Sequence, residues 1–225
     1  MKKILILLLL LFIVSCSPKT DKKIVVGASA TPHALILEQC RGYIESKGYT
    51  LEIKVFNDYV LPNLALSNGE LDANYFQHTP YLNEFNKEYG TKIYGILKVH
   101  FEPMGIYQGT GSDKIIVPSD KSNYDRALAL LDKYSITGEI VMAEAQNIPL
   151  LLSDCKYACI NGNYALASGV VDKCLMTEDW NDEMANIIAV TAENDKTRIL
   201  VEALKQDNIR IYIQETFGGS VLCMK

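Results

Sequence analysis

FNDYVLPNLALSNGELDANYFQHTPYL, residues 56–82, is the stretch from which the rest of the chain is read. It sets Tyr59, Tyr75, Phe76, His78 and Tyr81 beside Asp72 and Asn74 within one short span. Residues 71–76 are partly alternating, the pattern of a short strand. Thr79-Pro80 reads as a helix start, with Thr as N-cap and Pro at the first helical position, where no N–H is needed. His78 then falls in a strand-to-helix turn. Ligands of α/β sheets bind outside the carboxyl ends of strands, so this turn is a candidate pocket edge. Core packing is the competing reading for each aromatic, because aromatics dominate interiors in general. His78 is divided between a ligand contact and a satisfied structural histidine.

On both sides of this stretch strands and helices alternate. Residues 23–29 (KIVVGAS) are a β-branched run ending in small residues, a buried first strand and its turn. Residues 34–46 are helical and stop at Gly48; residues 51–56 alternate as a strand. Residues 59–66 form a short helix closed by Ser67-Asn68-Gly69. Residues 92–99 and 104–107 are strands on either side of Pro103, and 115–118 is another. Residues 119–134 are a helix with Ser119, Asp120 or Ser122 as cap and an apolar face of Tyr124, Ala127, Leu128 and Leu131. Arg126 falls off that face, early in the helix, where unpaired N–H groups and the dipole favour anions. A guanidinium beside a helix start would clamp a carboxylate; a solvated surface Arg is the alternative. Strands at 139–143, 157–160 and 186–190, a capped amphipathic helix at 194–206 and a last short helix complete the pattern. The alternation argues an α/β fold with largely parallel sheets.

The chain opens Met1-Lys2-Lys3, then an apolar run to Val14, then Ser15-Cys16. That is a secretory signal over residues 1–15 and not a spanning helix. Ile13-Val14-Ser15-Cys16 fits a bacterial lipobox, with Cys16 as the lipidated mature N-terminus and a polar tether over residues 16–23. Two or three acyl chains would hold the protein at a bilayer surface, outside the cytoplasm. Removing the signal takes away two lysines and no acid, which moves the formal charge from −5 to −7. A mildly acidic chain with no basic run is a poor partner for nucleic acid. Beyond Cys16 five cysteines remain (Cys40, Cys155, Cys159, Cys174, Cys223), and an odd number leaves at least one unpaired. Cys155 and Cys159 would be half a metal site, but His33, His78 and His100 show no ligand spacing to complete it. No G-x-S-x-G, P-loop or H-E-x-x-H motif supports an enzyme or asks for a cofactor, and Gly109-x-Gly111 is too short to carry a function.

The runs FNDYVLPN, DAN.FQH and PYL within residues 56–82 resemble the signature of the NlpA family, the methionine-binding lipoproteins of ABC importers. Weaker similarity extends over most of the mature chain. The resemblance implies a two-lobed periplasmic-binding-protein type II fold with a ligand cleft between the lobes. Lobe one would hold residues 24–98 plus 187–225, and lobe two residues 99–186. Residues 118–126 resemble a family segment whose Asn and Arg hold the amino acid, which assigns Asn123 and Arg126. Asn161 matches a family Asn that contacts ligand, and Asn186, more weakly, a polar position near the cleft. The implied partners are L-methionine or a methionine derivative or dipeptide, an ABC permease and its ATPase, and the membrane through the N-terminal lipid.

The residues suit that ligand. A methionine zwitterion needs an anion site, which Arg126 and the helix start near Asn123 offer, and acceptors for its ammonium, which Asn161 and Asn186 offer. Tyr59, Phe76, His78 and Tyr81 offer aromatic faces for a thioether. One departure stands out: residues 105–144 are shorter than the family pattern, with the 112–114 and 135–139 links trimmed. This makes an alternative reading available, a surface lipoprotein that keeps the fold but has lost ligand binding.

Overall fold

The computed structural model describes residues 22–224. The expected signal peptide, the expected lipid site Cys16 and the expected tether up to residue 21 lie outside the described residues. In chain order the elements are β1 (Lys23–Ser29), a wide turn over Ala30–Ala34, α1 (Leu35–Gln39), α2 (Arg41–Ser46), β2 (Thr50–Phe56), α3 (Leu61–Ser67), β3 (Ala73–His78), α4 (Thr79–Tyr89), β4 (Tyr94–Phe101) and β5 (Gly105–Gln108). There follow β6 (Ser112–Pro118), α5 (Lys121–Lys133), β7 (Glu139–Ala143), β8 (Cys155–Ile160), α6 (Gly162–Ala167), β9 (Cys174–Thr177), β10 (Asn186–Val190), α7 (Asp195–Leu204), α8 (Asp207–Phe217) and β11 (Leu222–Cys223).

These strands make two sheets, ordered β11-β4-β10-β3-β1-β2 and β7-β6-β8-β5-β9. The chain leaves the first sheet after β4 and comes back with β10, which inserts between β3 and β4. The sheets are mixed, which corrects the expectation of largely parallel ones. β1 runs parallel to β2 and β3, and β6 to β7 and β8. β10 is antiparallel to β3 and β4, β11 to β4, and β5 to β8 and β9. Alternating periodicity reports β-α-β crossovers, and the strands where the chain changes sheets have no crossover helix to set their direction.

Each sheet is packed on both faces, as strand alternation dictates. Ile24, Val26 and Ala28 of β1 meet Ile36, Leu37, Leu200 and Ile213 from the helices on one side. Phe76, Ile187 and Ala189 meet Leu66, Leu82 and Phe85 of α3 and α4 on the other. In β6, Ile115 and Val117 face Ala127, Leu130 and Leu131 of α5, while Ile116 between them joins Ala158, Ala165 and Ile148 on the opposite side.

The polar residues of the 56–82 stretch hold this packing together. Asn63, Asn74 and Gln77, all buried, interlock through side-chain amides: Asn63 donates to Gln77 Oε1 at 2.7 Å, and Asn74 and Gln77 both donate to Asn63 Oδ1 at 2.7 Å. Asp72 accepts from the backbone N–H of Val25 at 2.8 Å and from Lys196 at 3.1 Å. The helix starts differ in detail from the sequence reading. His78, not Thr79, caps α4, its ring nitrogen accepting from Tyr81 N at 3.2 Å, with Pro80 in the first turn. Asp120 caps α5 by accepting from Asn123 N at 2.9 Å, and Asn194 caps α7 in a capping box with Thr197. Cys40, Cys155, Cys159, Cys174 and Cys223 are all free thiols, and burial pushes Cys40 and Cys159 up to about 12.

The Gly109-x-Gly111 pair has a structural meaning the sequence reading missed. A Cβ on Gly109 would stand 2.1 Å from the Cys155 carbonyl oxygen, and one on Gly111 2.3 Å from the Asp154 carbonyl carbon. Only glycine lets the β5–β6 turn lie this close to the segment leading into β8. Gly111→Ala is therefore expected to lower the unfolding free energy by about 1–3 kcal/mol or more, because backbone must shift to admit the methyl. Gly42→Ala, inside α2 with open space around it, is expected to raise it by about 0.5–1 kcal/mol. Urea denaturation of the two variants checks both, and equal stabilities would contradict the close approach.

Candidate functional site

Between the two sheets lies a narrow cavity of about 20 Å³. Tyr59, Phe76, Gln77, His78, Tyr81 and Asn186 line it from the side of the six-stranded sheet. Asn123, Arg126, Asn161, Gly162 and Asn163 line it from the other, and Glu102 stands where the chain crosses between sheets. All of these are buried except Tyr59, which is half-buried. The eight residues singled out from the sequence thus share one cavity. Gln77, Glu102, Gly162 and Asn163 were missed.

The aromatic wall is continuous. The Tyr59 ring lies 5.8 Å from Phe76, 5.7 Å from Tyr81 and 5.0 Å from Tyr164 between centroids. The Tyr81 hydroxyl donates to the Tyr59 carbonyl at 3.0 Å, which fixes one ring against the other. Two hydroxyls cross the cleft: Tyr59 donates to Asn163 Oδ1 at 2.6 Å and Tyr164 to the Asn57 carbonyl at 3.2 Å.

A chain of amides starts at Asp120. Its carboxylate only accepts, so Asn123 turns Nδ2 toward it, 3.0 and 3.1 Å from the two oxygens. Asn123 Oδ1 then faces inward and accepts from Asn161 Nδ2 at 2.8 Å and from His78 Nε2 at 3.3 Å. Because His78 Nδ1 already accepts the Tyr81 N–H, its proton sits on Nε2 and the ring is neutral. Burial, reinforced by the nearby Arg126 charge, holds His78 down at about 3. With its Nδ2 committed, Asn161 presents Oδ1 as a buried acceptor with no partner among the described residues. Burial raises the Asp120 carboxyl, and the hydrogen bonds from Asn123 oppose it.

Arg126 is not off the buried side of α5 as the periodicity suggested; it is buried there together with Asn123, Ala127, Leu130 and Leu131. Nor does it share the helix mouth with a free anion site, since Asp120 already occupies the Asn123 N–H. Its partner is Glu178, just past β9. Arg126 Nε donates to Glu178 Oε2 at 2.9 Å, Nη2 pairs with Glu178 Oε1, and Nη2 also donates to the Glu102 carbonyl at 2.7 Å. The Met104 N–H holds Glu178 from the other side at 2.7 Å. Among the described residues every hydrogen bond of Arg126 leaves from Nε or Nη2, so Nη1 is uncommitted on a residue that lines the cavity. The Phe101 ring lies 5.9 Å from the guanidinium carbon.

Beneath these residues a second polar cluster is sealed from solvent. His100 Nε2 donates to Glu102 Oε1 at 2.6 Å, and His33 Nε2 stands 3.2 Å from that oxygen and 3.0 Å from Asn186 Oδ1. The Ser29 hydroxyl donates to His33 Nδ1 at 2.6 Å, and the Tyr75 hydroxyl bonds His100 Nδ1. Burial keeps His33 at about 4 and His100 at about 3. Burial also raises the Glu102 carboxyl, opposed by His33, Arg126 and the Asn163 N–H. His33, His100 and Glu102 bring their ligand atoms within 4.8 Å of one another, a convergence the sequence spacing does not show. Each of the four ring nitrogens is engaged by a protein group.

Comparison with known proteins gives a consistent picture. A family model described as NlpA lipoprotein matches residues 24–138 and 139–224. The two segments meet at the start of β7. The methionine-binding lipoprotein MetQ of Bacillus subtilis is 33% identical over 240 residues, covering 89% of this chain and 88% of its own. Membrane lipoprotein TpN32 of Treponema pallidum is 28% identical and covers 92% and 90%. A lipoprotein structure from Ruminococcus gnavus superposes with a TM-score of 0.86 at 40% identity, covering 91% of this chain and all (100%) of that one. A nutrient-binding protein from Burkholderia cenocepacia, solved bound to methionine, superposes at 0.83 with 31% identity over 90% of this chain and 100% of its own.

The three buried histidines set a pH dependence. Their native values lie at about 3 to 4, below the ordinary 6.5. The unfolded chain therefore binds protons that the native one refuses, and stability is full above pH 6.5 and falls as pH drops toward the native values. The raised carboxyls of Glu102 and Asp120 oppose part of this. Unfolding free energy is expected to fall by roughly 2 to 5 kcal/mol between pH 6.5 and 5. Chemical denaturation at the two pH values measures it, and a rise would contradict the neutral histidines.

Proposed function

Since the chain belongs to the NlpA lipoprotein family, we propose that it is the substrate-binding lipoprotein of an ABC importer. It holds L-methionine, or a methionine derivative or methionine dipeptide, between its lobes and hands it to the permease. The family is one of substrate-binding proteins and not of enzymes. Lipid on Cys16 anchors it to the membrane, facing outside the cytoplasm; among the described residues no helix is long and apolar enough to cross one.

The observation that carries this reading is the meeting of Arg126, Asn161 and the aromatic wall in a single cavity. The Nη1 edge of Arg126 receives the ligand carboxylate by a charge-assisted hydrogen bond. Asn161 Oδ1, a buried acceptor without a partner, takes a donor from the ligand's amino end, because an unmade buried hydrogen bond costs about 1–3 kcal/mol. Phe76, Tyr59 and Tyr81 enclose the thioether, where each sulfur–aromatic contact contributes about 0.3–1.5 kcal/mol. Nearly all the lining is buried, so the solute enters when the lobes part. That motion breaks the Tyr59–Asn163, Tyr164–Asn57 and His78–Asn123 bonds, and closure over the ligand restores them.

Thermal unfolding with and without L-methionine separates this reading from a fold that has lost its ligand. A binder melts higher as methionine is added, and an unchanged midpoint at millimolar ligand contradicts the proposal. By calorimetry, Arg126→Ala is expected to weaken L-methionine binding by more than about tenfold. Phe76→Ala is expected to narrow the preference for methionine over glutamine, a polar amino acid of similar length. Equal losses for both ligands would refute a thioether slot.

A further inference from the structure

We propose that the groove between α4 and α5 is a docking site for a basic segment of a partner protein, and that it has this form only while the lobes are closed. The inference rests on the solute-binding reading above, in which the partner is the permease. It adds to that reading a surface and the chemistry the surface recognises.

The groove is open to solvent and has a volume of about 490 Å³, enough for several side chains of a partner. One wall is α4, which packs on the six-stranded sheet and supplies Glu84, Phe85, Glu88 and Tyr89. The other wall is the start of α5, with Asp120 and Lys121, and Glu144 just after β7. α4 and α5 touch along this line. Lys121 is raised chiefly by Asp125 on its own helix and also by Glu84 from the opposite wall. Tyr81 belongs to both the groove and the ligand cavity. The groove is therefore a mouth of the cleft, and lobes that part to admit a solute pull its two walls away from each other.

Charge selects the occupant. Four carboxylates line the groove against two ammonium groups. Lys121 is held by Asp125 at 2.6 Å, and Lys87 lies in the last turn of α4, where a cation answers the helix dipole. Glu84 and Glu88 stand in no ion pair among the described residues. Tyr89, 43% exposed, stacks on Phe85 with centroids 4.4 Å apart, and so holds a fixed aromatic ring beside those carboxylates. Such a pairing suits a guanidinium, which stacks on a ring and bonds a carboxylate at once. The same charge argues against other occupants. An anionic bilayer surface is repelled, and so is a second copy of a chain whose formal charge is −5. Because the occupant fits the closed form, its binding and that of the solute strengthen each other by the same factor.

The test uses the mature lipoprotein in detergent and two dye-labelled peptides, Gly-Arg-Tyr-Arg-Gly and its control Gly-Glu-Tyr-Glu-Gly. Peptide binding is read by fluorescence anisotropy and methionine binding by calorimetry. The arginine peptide is expected to bind at least about fivefold tighter with saturating L-methionine than without it, and methionine affinity to rise by the same factor when the peptide is present. Replacing both acids of α4, Glu84→Gln with Glu88→Gln, is expected to weaken the arginine peptide at least about tenfold and to leave methionine affinity within about threefold. Tyr89→Ala gives a smaller loss and carries the test if the double variant does not fold by circular dichroism. A wild-type protein that ignores the arginine peptide, or binds the glutamate peptide as well, overturns the proposal. So does peptide binding that is indifferent to methionine or unchanged in the variants. A protein that binds no methionine overturns the solute-binding reading instead, and the variants then still decide whether the groove takes a basic segment.

Discussion

A carboxylate shut away from water has to be met by donors, and Glu102 is met by N–H groups from three separate parts of the chain. It lies on the short passage from β4 to β5, where the chain moves from one sheet to the other. His33 reaches it from the turn after β1, His100 from the end of β4, and the Asn163 N–H from the first turn of α6. Its own carbonyl takes a hydrogen bond from Arg126 on α5. Elements of both lobes are therefore tied to one residue at the crossing. Removing any donor would leave part of a buried charge unanswered, which is far more costly than the net gain of an ordinary hydrogen bond.

The same logic orients the cavity wall. Asp120 is one residue outside α5, and capping that helix is its local task. Because its oxygens only accept, it also decides which way Asn123 faces, and Asn123 decides for Asn161 and His78. A helix cap thus sets the polarity of a side chain on its own helix and, through it, of side chains on two other elements. Low local dielectric makes such a chain of amides rigid, since reversing one member would set donor against donor down the line.

Much of this was legible in the residues. Strands and helices followed from alternation and from turn residues such as Gly48 and Gly69, both of which have positive φ. Thr79-Pro80 located the start of α4, with the cap one residue earlier than expected. The aromatic cluster of residues 56–82 and the four polar residues beyond it reached one cavity. What was not legible has a common cause. Glu102 in Phe-Glu-Pro has no periodic partner, and its histidines are remote or on the same strand. Glu178 sits in an acidic surface-like run, and nothing local says it will face Arg126. Arg126 itself breaks the binary pattern, which assigns a charged residue to solvent and cannot see a buried ion pair. Strand order was hidden for the same reason: β10 has the same composition whether it pairs in parallel or antiparallel.

The place of β10 has a further consequence, for how such a chain comes off the ribosome and reaches its native state. β4 joins its sheet on one side only through β10, and on the other meets only the two-residue β11. Both of those strands are synthesised after the whole of the five-stranded sheet. The first lobe to be made is accordingly the last that can be finished: its early strands wait, with an open hydrogen-bonding edge on β3, until the C-terminal segment arrives. Such long-range closure is slow and leaves that edge open to stray pairing, so a holding factor that shields β3 during synthesis or export would matter more to this chain than to one whose lobes were continuous.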